Sequence, residues 1–219
     1  MIEEILPAGV SAVEAFQDEP RPVLFSDEEA VISRSVDKRR REFATARVCA
    51  RTALAALGFA PVPILPGPRG APGWPSGVVG SITHCAGYRA AAVAHADRIV
   101  AIGIDAEQNA PMPRGVLDSV TIEAERPRLE RLAVDVPGVC WDRLLFSIKE
   151  SVYKAWFPLT VRWLDFAEAD VTPRPDGTFD ARLLVPGPVV GGRRLGGFVG
   201  RWMARDGLLI TAIALPSTP

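Results

Sequence analysis

Phe43, Ala46, Ala50, Leu54 and Leu57 recur three and four residues apart, the spacing of one helical face, and Gly58 follows as a stop. The pattern predicts a helix over about 37–57. Residues 61–80, PVPILPGPRGAPGWPSGVVG, hold too many Pro and Gly residues for a regular element and predict an ordered loop or extended segment. Short apolar runs then take over: VVGSITH, RAAAVAHA and IVAIGIDAE predict three strands, with Asp97-Arg98 turning between the second and third. Helical spacing returns over about 116–132 and 142–156. The tail reverts to strands in TFDARLLV, FVGRWMA and LLITAIAL, and Asp206-Gly207 is a hairpin turn. Short turns between consecutive strands predict an α+β fold rather than a doubly wound parallel sheet. The stretch AAVAHADRIVAIGI around Asp97 echoes GRWMARDGLLITAIA around Asp206, half the chain later. A helix-then-antiparallel-sheet unit used twice fits that spacing; chance similarity between two hairpins also accounts for it.

Composition narrows the function classes. The chain has 219 residues, 48% hydrophobic and 23% charged, enough for one large cored domain or two small ones. Lys and Arg total 25 against 26 Asp and Glu, a net charge of −1, which argues against a duplex-DNA binder driven by bulk positive charge and leaves room for a local basic patch. Three cysteines without CxxC spacing argue against a disulfide framework or a zinc cluster. The start, MIEEILPAGV, is acidic where a signal peptide is basic, and no apolar run approaches the ~18–20 residues of a membrane span. The expectation is a cytoplasmic protein with neither a membrane nor a nucleic-acid partner.

Four constellations could carry chemistry. Asp105 and Glu107 lie two apart at the end of an apolar strand and so share a face. A divalent cation is one reason to pair two carboxylates; a solvated strand end is the plainer one. Glu150 and Lys154 lie four apart in a helix rich in apolar residues, where an ordinary surface ion pair competes with a buried pair needing a metal or phosphate partner. Gly80, Ser81, Thr83 and His84 follow the breaker loop and bring backbone N–H groups, hydroxyls and an imidazole near one point, which suits a phosphate, although neither GxxxxGK[ST] nor GxGxxG is present. A Cys/His nucleophile pair at His84 and Cys85 is a poor reading, because adjacent strand residues point to opposite faces. Finally Lys38, Arg39, Arg40 and Arg41 precede Arg47 and Arg51, and Arg69 lies in the loop. Such a stripe grips small anions, coats a solvated helix face, or binds nucleic acid with steep salt dependence.

Taken together, KRRREFATARVCARTAL, RGAPGWPSGVVGSITHC, AIGIDAE and FSIKESVYKAW resemble the Sfp-type superfamily of 4′-phosphopantetheinyl transferases, in the branch related to the enterobactin-synthesis enzyme. The matching text runs in family order over about residues 38–157. The resemblance implies two similar α+β halves related by a pseudo-two-fold axis, here about 1–101 and 102–219. It implies Mg²⁺-dependent transfer of the phosphopantetheine arm of coenzyme A to a serine of an apo acyl, peptidyl or aryl carrier protein, by a monomer in secondary-metabolite biosynthesis. By the same resemblance Asp105, Glu107 and Glu150 hold the metal. Glu150 is the base, directly or through water, and Lys154 balances the phosphate charge. Arg40, Arg47, Arg69, Thr83 and His84 hold the coenzyme, with Lys38 or Arg39 open as substitutes for Arg40. An inactive carrier- or nucleotide-binding module of the same fold is the alternative.

Overall fold

The computed structural model describes residues 1–217. In chain order the elements are β1 (Val10–Ala15), α1 (Ser26–Ile32), α2 (Asp37–Ala56), β2 (Val78–Cys85), β3 (Tyr88–His95), β4 (Ile99–Gln108), α3 (Val116–Val120), α4 (Arg126–Asp135), α5 (Trp141–Thr160), β5 (Ala169–Pro173), β6 (Thr178–Leu183), β7 (Val189–Val190), β8 (Arg193–Arg194), β9 (Gly197–Arg205) and β10 (Leu208–Pro216). They form an antiparallel sheet ordered β1-β3-β2, a second ordered β4-β10-β9-β6-β5, and the small ribbon β7-β8. The α+β expectation holds: each main sheet carries one twenty-residue helix, α2 over β3 and β1, and α5 over β4 and β10.

The helix faces are those the apolar spacing marks. Helix α2 buries Ala50, Ala53 and Leu54 against Ala91 and Val93 of β3. Its small side chains let the helix approach the sheet closely. Helix α5 buries Leu144, Leu145, Ile148, Val152 and Trp156 with Leu209 and Ile213 of β10. A third cluster fills the space where the sheets meet, with Ala90, Ala92 and Ala94 facing Ile102, Ile104 and Ile210.

Two sequence expectations change. Asp97 does sit at a turn, yet β3 and β4 do not form a hairpin: β3 pairs with β1 on one side and β2 on the other, and β4 pairs with β10. Both edges of β3 are therefore taken, and β4 crosses to the second sheet, whereas β9 and β10 make a true antiparallel hairpin through Asp206-Gly207. Side chains rather than a backbone ladder join β2 to β4: Ile104 N donates to Ser81 Oγ (3.1 Å) and Ala106 N to Thr83 Oγ1 (3.1 Å). The helix expected over 116–132 is likewise two helices, α3 and α4. Thr121 ends the first in an extended conformation, and Pro127 stands in the first turn of the second, where a missing N–H costs nothing.

The breaker loop is pinned without being regular. Glu28 is fully buried and accepts from Ile64 N (2.9 Å) and Arg51 Nη1 (2.8 Å), while Arg47 Nε donates to the Ile64 carbonyl (3.0 Å).

Candidate active site

Strand β4 and helix α5 build the site because they touch at Gly103. A Cβ there would stand 2.0 Å from the Ser151 carbonyl oxygen and 2.8 Å from the Ala155 nitrogen, so only glycine lets helix backbone lie directly on the strand. The strand's period of two then puts Asp105 and Glu107 on the same face as Gly103, and the helical i,i+4 spacing brings Glu150 and Lys154 over them.

Asp105 is buried and its carboxylate is held by three donors. Lys154 Nζ donates to Oδ1 (2.8 Å) and to the Ile104 carbonyl (3.0 Å), Thr83 Oγ1 donates to Oδ1 (3.2 Å), and Ser147 Oγ donates to Oδ2 (2.9 Å). Behind Ser147 a chain of fully buried hydroxyls continues through Thr211 Oγ1, 3.1 Å away, to Ser151 Oγ, 2.5 Å further. Glu107 accepts from Arg143 Nη1 (3.2 Å); its carboxyl is pushed up by burial and by the Asp105 charge. Glu150 is half-buried and, among the described residues, accepts no hydrogen bond and makes no ion pair within 4 Å. Burial first, then the charges of Asp105 and Glu107, push its carboxyl above the usual range, with Lys154 opposing.

The basic residues divide. Arg39 Nη1 lies 2.8 Å from His84 Nε2, and Glu42 Oε2 lies 3.8 Å from Nδ1 on the other side of the ring. The Lys154 charge, held on Asp105, disfavours protonation of His84 and opposes the rise at Glu150. Arg47 is buried over the Phe43 ring at 3.9 Å; burial lowers its pKa to about 10, and the field of Arg39 adds to the effect. Its Nε is spent on the loop, and its terminal nitrogens make no hydrogen bond among the described residues. Arg40 turns the other way and donates to the Ile32 carbonyl (2.8 Å), because one residue along a helix is a rotation of about 100°. Of the three open candidates at that position, the structure places Arg39 beside His84. Thr83 is also not aimed outward: the residue is 2% exposed and its hydroxyl is occupied at the seam between the sheets. Arg69, at φ 54° in the breaker loop, stacks over Trp163 at 5.0 Å. Trp163 meets Tyr153 at 4.9 Å, and these rings with Glu150, Leu164, Asp165 and Phe166 line a cavity of about 180 Å³.

Sequence reasoning missed Arg143 and the hydroxyls of Ser147 and Thr211. The available signal was polar residues at positions the apolar spacing marks as buried. It also passed over Lys149, whose Nζ is buried and donates to the Val120 carbonyl (2.9 Å), the Phe166 carbonyl (2.7 Å) and Glu125 Oε2 (2.9 Å). Glu125 in turn accepts from Ile122 N and Val171 N (2.9 and 2.8 Å). This satisfied pair clamps the α3–α4 connection and β5 onto α5, one residue from Glu150. Lys149→Met leaves the Glu125 charge buried and unpaired, and is expected to cost about 3–5 kcal/mol in urea unfolding. A loss below about 1 kcal/mol would mean the pair is not a clamp.

No group of three or more His, Cys, Asp or Glu side chains among the described residues is gathered into a metal cage by itself. Magnesium needs none: it takes one or two carboxylates, water and phosphate oxygens. Asp105 and Glu107 on one face of β4, with the Glu150 carboxyl near enough to feel both charges, supply oxygen donors of the kind such an ion takes.

Residues 27–94, which include Arg39, Arg47, Arg69 and His84, match the 4′-phosphopantetheinyl transferase N-terminal domain family. Residues 101–191, which include all three carboxylates and Lys154, match the 4′-phosphopantetheinyl transferase superfamily. The chain belongs to the 4′-phosphopantetheinyl transferase family. It is 58% identical to 4′-phosphopantetheinyl transferase Svp of Streptomyces mobaraensis over 98% of this chain and 89% of that protein. It is 53% identical to Npt of Nocardia iowensis, over 98% and 99%. With PptT of Mycobacterium tuberculosis the identity is 45%, over 98% of each. No helix among the described residues is long and apolar enough to cross a membrane.

Proposed function

We propose that Asp105, Glu107, Glu150 and Lys154 carry the phosphopantetheinyl transfer of this family, moving the arm of coenzyme A to a serine hydroxyl of an apo carrier protein. The observation that supports this most is Glu150, an unpartnered, desolvated carboxylate held by α5 beside the two acids of β4. Asp105, Glu107 and Glu150 would hold Mg²⁺, which supplies neutralisation of the diphosphate charge. Glu150 takes the proton from the serine Oγ, directly or through one water, as the oxygen–phosphorus bond forms. The bond from that phosphorus to the adenosine 3′,5′-bisphosphate oxygen breaks, and Lys154 offsets the charge on the departing group. Arg39 and His84, in contact at 2.8 Å, bind the phosphate remote from the reacting bond, and Arg47, whose terminal nitrogens are unspent among the described residues, adds its charge to them. Arg69, stacked on Trp163, closes the aromatic side of the site. Thr83 acts through Asp105, which it orients, rather than by touching the coenzyme.

The same reading makes the protein a cytoplasmic monomer. Its three cysteines, all free, fit a reducing compartment. Incubation with coenzyme A, Mg²⁺ and a panel of apo carrier proteins, each then weighed by mass spectrometry, tests the proposal. A gain of one phosphopantetheine arm on at least one carrier is expected. Coenzyme binding with no gain on any carrier would reduce the protein to a binding module.

A further inference from the structure

His84 is placed between groups that dictate its protonation in the free protein. An arginine only donates, so the contact of 2.8 Å from Arg39 Nη1 makes Nε2 an acceptor and leaves the ring proton on Nδ1, which faces Glu42. Glu42 is 8% exposed and also lies 3.6 Å from Arg89 Nη2, which in turn pairs with Asp18 at 3.0 Å. The charged groups facing the imidazole are therefore Arg39 and Glu42 from α2, Arg89 from β3 and Lys154 from α5. Glu42 alone among them favours an imidazolium; burial and Arg39 lead the groups that disfavour it.

An anion arriving at this corner changes the balance. A phosphate draws Arg39's N–H groups onto its own oxygens, which frees Nε2, and a dianion beside the ring favours a second proton there. The resulting imidazolium is held between the phosphate at Nε2 and the Glu42 carboxylate at Nδ1. We propose that coenzyme binding is coupled to uptake of one proton by His84, with Glu42 as the positioning residue that orients and stabilises the imidazolium. This rests on the reading above that the Arg39–His84 corner takes a phosphate of coenzyme A. It adds a pH dependence of affinity: binding that takes up a proton weakens as pH rises, by up to about tenfold per unit.

Calorimetric titration of coenzyme A into the full chain, at fixed Mg²⁺ and in buffers of different ionisation enthalpy, counts the protons. Wild type is expected to take up as much as about one proton more than His84→Gln near pH 7.5, the difference cancelling contributions from the carboxylates and the phosphate. Glu42→Gln is expected to move the pH at which affinity begins to fall downward by about one unit, and His84→Gln to lose that component. Imidazole ¹⁵N spectra provide a check on the unaltered protein, since the chain has only two histidines. His84 should be the Nδ1–H tautomer alone and doubly protonated with coenzyme A. Equal uptake by wild type and His84→Gln, an unmoved profile in Glu42→Gln, or a neutral His84 in the complex would each overturn the proposal. Failure of coenzyme A to bind at all would instead overturn the functional reading on which it rests.

Discussion

Glu150→Gln lowers transfer by about 10²–10⁴-fold, the range of a lost general base, and the protein melts no lower than wild type. The two halves of this expectation have one cause. Glu150 makes no ion pair or hydrogen bond among the described residues, and burial with the charges of Asp105 and Glu107 disfavours its ionised form. A carboxyl whose folded pKa is raised costs stability at pH values above that pKa, so removing the charge is expected to leave the melting temperature equal or higher near pH 7. The difference should vanish on acidification below the usual carboxylate range, where the group is protonated in both folded and unfolded states. Initial rates and thermal melts on the two proteins decide it. Near-normal turnover in folded Glu150→Gln removes the base assignment, and a marked loss of stability makes Glu150 a structural residue instead.

Gly103→Ala acts on the scaffold rather than the chemistry, and its effect is expected to be as large. The added methyl meets backbone on both sides, the Ser151 carbonyl and the Ala155 nitrogen, so no side-chain rotation relieves it and α5 must move away from β4. Overpacking of this kind is expected to cost about 3 kcal/mol. In a chain of this size that corresponds to a melting temperature lower by about 6–12 °C. Activity should fall further than stability explains, on the order of 10²-fold at a temperature where the variant is folded, because Glu150 and Lys154 shift relative to Asp105. Gly138→Ala is the control, since nothing lies within 4 Å of its added methyl. Full activity in folded Gly103→Ala would show that the helix-to-strand distance does not set the site.

Local pattern made much of this legible. The α2 and α5 faces, the strands from Val78 to Gln108 and the Asp206-Gly207 hairpin follow from spacing and turn chemistry that act over a few residues. So does the sharing of one face by Asp105 and Glu107 and by Glu150 and Lys154, because each needs only the period of its own element; the ion pair that Lys154 makes is across to Asp105 and not along the helix to Glu150. The break at Thr121–Glu125 was marked only by Pro127; the carboxylate of Glu125 holds it through Lys149 and Val171, partners 24 and 46 residues away. The choice between Arg39 and Arg40 was likewise open, since a run of four basic residues covers a full helical turn and the neighbours decide which one faces His84.

The sequence by itself determined the family, the element types, and which acids and bases lie within one strand or one helix. Tertiary structure alone decided that β4 leaves β3 for β10, that Thr83 serves Asp105 instead of solvent, and that Glu42 stands behind His84. The physical reason is range. Periodicity and turn preference are properties of neighbouring residues, whereas the protonation and partners of a buried polar group are set by whatever distant segment is packed against it.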